Sequence, residues 1–274
     1  MVTPPTAGKA ASGDFPYWLV AAVLIGAYLL WQIAADEVYS EVIVILSRGV
    51  VTTLRVTAIA FFFATLFGLI LAMMALSNAL LLRQVSRFYV EIMRGIPILV
   101  LLFYIAFVGA PALASFANWL TTPLQAWGWM SEIRTRDISL EARAILALTL
   151  AYAAFISEVF RAGLQAVDTG QIDAGKALGL SGRLRFRLIV FPQAFRTILP
   201  PLGNDLIAMI KDSSLVSVLG VTDITQLGKI YSSGSFRFFE TYNVVAYLYL
   251  VMTVSLAIAL RGFEDRMRRR GRDG

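Results

Sequence analysis

The sequence predicts an all-α integral membrane protein of about six transmembrane helices with both termini in the cytoplasm. Composition is the first observation: 58% of the 274 residues are hydrophobic and only 15% are charged, with a mean hydropathy of +0.72. A soluble domain carries about a quarter charged residues. The second is a set of uncharged runs long enough to cross a bilayer at the rise of a helix. The third is the distribution of Lys and Arg. Pieces 1–16, 77–94, 161–196 and 261–274 hold twice as many as 36–55, 111–143 and 211–243, which places the first set inside.

Residues 1–16 are Pro-, Ala- and Gly-rich and are expected to be disordered. Residues 17–35 carry no charge and have Trp18 and Trp31 near the ends, as a first span with interfacial anchors should. This segment lacks a basic start and an A-x-A-like site, and its apolar run is too long for a signal core. Asp36, Glu37 and Glu41 follow it. A second span is expected at 56–76, flanked by Arg48 and Arg55 before and by Arg83 and Arg87 after. Gly68 and Ala72 make a small-xxx-small pair there, suited to close helix contact.

A third span fits 88–110, with Arg94-Gly95-Ile96-Pro97 in its first third. No separate crossing is expected at 112–130, because Pro111, Thr121, Thr122 and Pro123 interrupt it. Trp119, Trp127 and Trp129 mark it as interfacial. The fourth span is 142–157 and the sixth 241–260. The fifth, 194–210, holds Pro200, Pro201, Gly203, Asn204 and Asp205 and is expected to be a broken helix lining a cavity or buried in protein. Residues 263–274 form a basic tail.

The net charge of +6 matches cytoplasmic retention of positive charge rather than nucleic-acid binding. With no Cys and no His, the chain has no disulfide, no thiolate nucleophile and no imidazole-ligated metal or haem. No paired catalytic carboxylates stand out, and no Gly-rich phosphate loop with its Lys is present. A catalytic site, a metal and a cofactor are therefore not expected.

The longest polar stretch, 158–192, carries helix signals throughout, so it is more than a connector. Asp168-Thr169-Gly170-Gln171 opens like a capping box, with Gln171 able to reach back. Ala174, Gly175, Ala177 and Gly179 then leave little bulk beside Leu178 and Leu180. Gly179 suits the left-handed conformation that ends a helix, and Ser181 can cap the next one. Arg183 to Leu188 alternates with period two, which alone would predict a strand; with no partner strand in sight a helix is preferred. From physics alone the loop serves either a protein partner or an anionic lipid surface.

Within this loop Asp173-Ala174-Gly175, then Gly179, then Ile189-x-Phe191-Pro192 resembles the EAA signature of permease subunits in ATP-binding cassette importers. Asp stands for Glu, Gly for the second Ala and Phe for Leu, and the spacing is kept. Arg94-Gly95-Ile96-Pro97-Ile98-Leu99 looks like the RGTPLL segment of the polar amino acid permeases, and Glu158-Val159-Phe160-Arg161-Ala162-Gly163 like their EIFRGG segment. Ala177-Leu178-Gly179-Leu180-Ser181, Pro192-Gln193-Ala194, Pro200-Pro201-Leu202-x-Asn204 and Lys211-Asp212-Ser213-Ser214-Leu215 extend the likeness over 46–262. Residues 17–35 and the 111–140 insertion fall outside the usual five-span core.

The resemblance implies a non-catalytic, multi-pass permease of the bacterial inner membrane. It implies a dimer of ATPase subunits, a second permease, the same or related, and an extracytoplasmic substrate-binding protein. The solute would be a polar amino acid or close relative. Within the coupling loop, 161–192, it makes Asp173, Ala174, Gly175, Lys176, Ala177, Leu178, Gly179 and Leu180 the surface seated in the ATPase, with coupling carried through 168–192. An ATP-independent secondary transporter or channel is the competing class, and a membrane enzyme is disfavoured by the missing His and Cys.

Asp205 and Asn204 lie mid-span, where a carboxylate is costly and usually functional. Asp205 either meets an ammonium or pairs with Lys211 or the Pro200–Pro201 break. Glu158 and Arg161, spaced i, i+3, form an ion pair at the membrane edge or contact solute. Arg94 snorkels to the interface, anchors a gate beside a Pro97 kink or attracts a carboxylate. Tyr104 and Tyr152 are expected in core or interface packing rather than as ligands.

Overall fold

The computed structural model describes residues 17–270, and every regular element among them is helical. The disorder expected of 1–16 and the last four residues of the basic tail lie outside the described residues.

Helix α1 (Tyr17–Ala35) has the bounds expected of the first span. One non-helical residue separates it from α2 (Glu37–Ala75): Asp36 is extended, and its carboxylate accepts from the amides of Val38 and Tyr39 at 2.8 and 3.4 Å. This cap is why the acidic group starts a helix instead of a loop. The second span is thus longer than expected. At 39 residues α2 measures about 58 Å, twice the ~30 Å hydrocarbon thickness. Its N-terminal half packs Tyr39, Val42 and Leu46 against Ile224, Val244 and Val245.

The third span needs correction. Helix α3 (Leu80–Gly95) stops before the Ile96–Pro97 bond, with Ile96 extended, because the proline ring expels the preceding residue from helical geometry. The apolar rod starts afresh at Ile98. It runs through α4 (Ile98–Tyr104), a π turn (Ile105–Gly109) and α5 (Ala110–Ala126). Pro97 therefore marks a full break, and 112–126 continues this rod instead of lying apart as an interfacial segment. Pro111 lies inside this continuous rod, so its missing N–H leaves a carbonyl of the preceding turn without an intrahelical donor. Trp127 and Trp129 follow the rod's end, exposed as expected of anchors.

Helix α6 (Leu140–Gln165) is the axis of the molecule. Ser139 caps it through the Ala142 amide at 3.1 Å. It is 61% buried along its apolar stretch, against 11–33% for the other long apolar helices. Ala144, Ala147, Ala151, Ala153 and Ala154 keep it slim enough to be surrounded. Gly68 and Ala72 of α2 are both buried, and a methyl at Gly68 would stand 3.0 Å from the Ala153 carbonyl. The small-residue pair is a helix contact. Tyr152 packs in this core as expected, whereas Tyr104 is 59% exposed.

After α6 come α7 (Thr169–Ala177), the short α8 (Gly182–Arg185), a π turn (Phe186–Val190) and α9 (Phe191–Asp212). Arg183 to Leu188 is helical, as preferred. The expected break in the fifth span does not occur: Pro200 and Pro201 lie inside α9, which runs unbroken for 22 residues. A 3-10 turn (Ser213–Leu219), α10 (Ile224–Ser235) and α11 (Phe238–Arg270) complete the chain. Four helical stretches, Glu37–Ala75, Ile98–Ala126, Leu140–Gln165 and Phe238–Met267, are long and apolar enough to cross a membrane.

Candidate coupling surface and polar cleft

Helix α7 projects from the chain on a small scaffold of its own. Ile172 packs with Val159, Phe160 and Leu164 of α6 and with Val190, Ala194 and Ile198 around the start of α9. The Gln193 side-chain amide donates to Gln171 Oε1 at 2.6 Å and to the Ile189 carbonyl at 2.9 Å. Asp168 caps through the Gly170 amide at 2.6 Å. The box expected here is therefore half formed, because Gln171 is committed to Gln193. Gly179 takes φ +72°. The Gly179 and Leu180 amides donate to the carbonyls of Lys176 and Gly175 at 2.9 and 3.0 Å, closing the helix as expected. Ser181 accepts from the Leu184 amide at 3.4 Å.

Six of the eight residues expected at the coupling surface are exposed: Asp173, Ala174, Lys176, Ala177, Leu178 and Gly179. Leu178 is 80% exposed, an apolar knob flanked by small residues. Gly175 points the other way. A methyl there would stand 2.7 Å from Ile189 Cδ1, so this glycine lets α7 lie against the following turn. Leu180 is half-buried. Lys176 Nζ lies 2.7 Å from Asp173, and this hydrogen bond holds the Asp173 carboxyl below its ordinary range.

The four expected solute-path residues fall into two groups. Arg94 and Glu158 meet in one cleft of about 370 Å³, between α3 and the C-terminal end of α6. Around them stand Arg87, Glu91, Arg161 and Gln165, none of which was expected to act with Arg94. The i, i+4, i+7 spacing of Arg87, Glu91 and Arg94 carries that signal, once α3 is known to be a separate helix. Glu158 and Arg161 form the expected ion pair, and Arg161 also donates to Gln165 Oε1 at 2.8 Å. The Arg94 guanidinium lies 5.7 Å from the Phe155 ring centre. The Ser86 hydroxyl donates to the Leu71 carbonyl and Tyr89 to the Leu150 carbonyl, both at 2.8 Å, pinning α3 to α2 and α6.

Asn204 and Asp205 lie on α9 instead. Asp205 Oδ2 is buried without a hydrogen-bond partner, and among the described residues Asp205 makes no ion pair with Lys211. A carboxylate oxygen buried in this way is costly unless a proton, a water or a further group meets it. Two turns along, Asp212 accepts from the buried Tyr152 hydroxyl at 2.7 Å. Thr197, Pro201, Asn204 and Lys211 are exposed at helical spacing on one uncovered face of α9.

Comparison with known proteins gives a consistent pattern. Residues 64–270 match the family model described as "Binding-protein-dependent transport system inner membrane component". The "Probable amino-acid permease protein YxeN" of Bacillus subtilis is 37% identical over 215 residues, 78% of this chain and 88% of that one. The "Glutamine transport system permease protein GlnP" of Escherichia coli K12 is 30% identical over 224 residues, 82% of this chain and 93% of its own. Among solved structures, a crystal structure of an amino acid ABC transporter with histidines superposes with a TM-score of 0.67 at 34% identity. It covers 81% of this chain and 94% of that one. The inward-facing MetNI methionine ABC transporter, at 22% identity and TM-score 0.61, shares the fold over 81% of this chain and 96% of its own.

Proposed function

The chain belongs to the family of binding-protein-dependent inner-membrane transport components, and from that premise we propose that it forms the solute path of an ATP-driven importer for a polar amino acid or close relative. The relatives named above as amino-acid and glutamine permeases support this substrate class. ATP hydrolysis belongs to a partner, and an extracytoplasmic binding protein delivers the solute. The proposed topology has six crossings, α1, α2, the α4–α5 rod, α6, α9 and α11, with both termini in the cytoplasm.

One observation carries the coupling assignment: α7 presents Ala174, Ala177 and the 80% exposed Leu178 outward while its other face is fastened to α6 and α9. An element held this way moves with those helices as a rigid body. Closure of an ATPase dimer on two such elements would rock the spans between inward- and outward-open states. The uncovered polar face of α9 supports a second permease subunit, since Asn204 and Lys211 would otherwise meet lipid. Asp205 is proposed to face the solute's ammonium on that path.

Uptake by proteoliposomes holding the complete complex tests the proposal. Transport is expected to require internal ATP and the binding protein, and Asp205→Asn is expected to raise the KM for uptake or change solute preference. Uptake that persists after ATP depletion would support the secondary-transporter reading. Unchanged kinetics in Asp205→Asn would remove the contact at that residue.

A further inference from the structure

The cleft between α3 and the end of α6 holds more charge than its own residues neutralise. Five of its lining side chains are acidic or basic: Arg87, Glu91 and Arg94 along one face of α3, and Glu158 and Arg161 on α6. Glu158 is ion-paired with Arg161 and also feels the charge of Arg94 at longer range. None of Arg87, Glu91 and Arg94 is in an ion pair among the described residues. What remains is two guanidiniums and one carboxylate, spread over two turns of a single helix, facing a space of about 370 Å³. That volume falls within the ~300–1,000 Å³ of small-molecule sites.

Charges of both signs, unpaired and facing one cavity, are complementary to a zwitterion. We propose that this cleft is a binding site for a free α-amino acid, distinct from the Asp205 position. Arg94 takes its carboxylate, Glu91 its ammonium, and Arg87 selects a neutral polar or acidic side chain over a cationic one. Arg94 suits the carboxylate because its planar fork binds two oxygens at once, and the Phe155 ring beneath it limits its freedom. The Glu158–Arg161 pair and Gln165 close the opposite wall. On the proposed topology the cleft opens to the cytoplasm, so it takes the imported solute after release from the path. Only three residues separate Gln165, the end of α6, from the start of α7, so a bound solute bridges α3 to the base of the coupling element. This inference rests on the importer reading above.

Equilibrium binding to the permease–ATPase complex, in nanodiscs without phosphatidylethanolamine and without the binding protein, tests it. The probes are radiolabelled L-glutamine, L-glutamate and L-arginine. Saturable binding is expected for the first two and weaker binding for arginine. N-acetylglutamine and glutamine methyl ester, each lacking one charge, are expected to compete about tenfold less well or worse. Arg94→Gln and Glu91→Gln are each expected to weaken glutamine binding by about tenfold, and Arg87→Gln to narrow the gap between glutamate and arginine. Glu91 and Arg87 are exposed, so these variants test the site even where Arg94→Gln disturbs packing on Phe155. Absence of saturable binding, or binding indifferent to both Arg87→Gln and Glu91→Gln, overturns the proposal. So does glycerophosphoethanolamine competing as well as glutamine, which would assign the cleft to a lipid headgroup. A complex that imports solute with ATP yet fails these tests removes the cleft alone. A chain that binds no ATPase removes the importer reading beneath it.

Discussion

The two ends of α6 use arginine in opposite ways. At its N-terminal end Arg143 is 9% exposed and spends its guanidinium on three backbone carbonyls. It donates to Ile138 at 3.0 Å, to Ala106 at 3.2 Å and to Thr135. Ala106 lies in the π turn of the α4–α5 rod, where regular helix pairing is interrupted. One side chain thus fastens that rod and the 135–138 turn to α6. Beside it Arg55 of α2 pairs with both oxygens of Glu141, at 2.8 and 2.7 Å. At the C-terminal end Arg87 and Arg94 form no ion pair among the described residues and line the cleft. A satisfied, buried cation stiffens one end of the axis. The other end keeps unspent charge where a ligand and a moving partner are proposed to act.

Breaking the satisfied end should have the largest effect. Arg143→Ala leaves three carbonyls without their donor, and hydrogen bonds from a charged group are worth ~1.5–3 kcal/mol each before relaxation. A stability loss of about 3 kcal/mol or more is expected, read as a fall in the thermal midpoint of the detergent-solubilised protein and as faster proteolysis between α5 and α6. Arg143→Lys should recover little, because an ammonium cannot span the same three acceptors. A midpoint within error of wild type for Arg143→Ala would remove the asymmetry.

A smaller effect is expected at Asp223, on the α2–α10 side of the molecule. This buried carboxylate caps α10 through the Gln226 amide at 2.8 Å and accepts from Tyr249 at 3.1 Å. Burial raises its pKa above the ordinary 3.8. The folded state then holds the proton more tightly than the unfolded chain, so this residue's contribution to stability falls as pH rises from 3.8 through the raised value. Asp223→Asn keeps an oxygen to accept from the Gln226 amide, and its amino group faces the Tyr249 hydroxyl, which can turn to accept from it. It should change stability by less than about 1 kcal/mol at neutral pH and flatten the pH dependence in that window. An unchanged slope would mean the carboxyl is not what titrates.

The smallest structural effect belongs to the coupling surface. Both side chains of the Lys176–Asp173 pair are exposed, and such pairs contribute little. Asp173→Ala should leave the thermal midpoint unchanged while lowering solute-stimulated ATP hydrolysis in the assembled complex. A drop in stability with normal ATPase coupling would assign Asp173 to the fold.

What was legible in the sequence follows the range of the interactions. The cap at Asp168, the left-handed Gly179, the cap at Ser181 and the i, i+3 pair of Glu158 and Arg161 all act within four residues, and each was readable. Features set by contacts at longer range were not. The length of α2 was hidden by Arg48 and Arg55, which look like loop charges but ride on a helix running past the hydrocarbon. Helix α10 buries mostly small residues, Gly228 and Ser232 beside Ile224, so its periodicity is faint. It owes its position to Gly49, where a methyl would stand 2.5 Å from the Ile224 nitrogen. The cleft pairs residues some sixty positions apart, and placing Arg94 inside a span concealed its kinship with Arg87 and Glu91.

Helix α7 is proposed as the surface an ATPase grips, and the absence of cysteine from the chain makes that contact directly testable. A single cysteine replacing Ala177 should crosslink to a cysteine in the cleft of the co-expressed ATPase, at a yield that changes with bound nucleotide. The inward-facing Gly175 replaced in the same way should crosslink poorly. Labelling of Ala177→Cys only by an impermeant reagent from outside the cell, with no crosslink to the ATPase, would contradict both the topology and the coupling role.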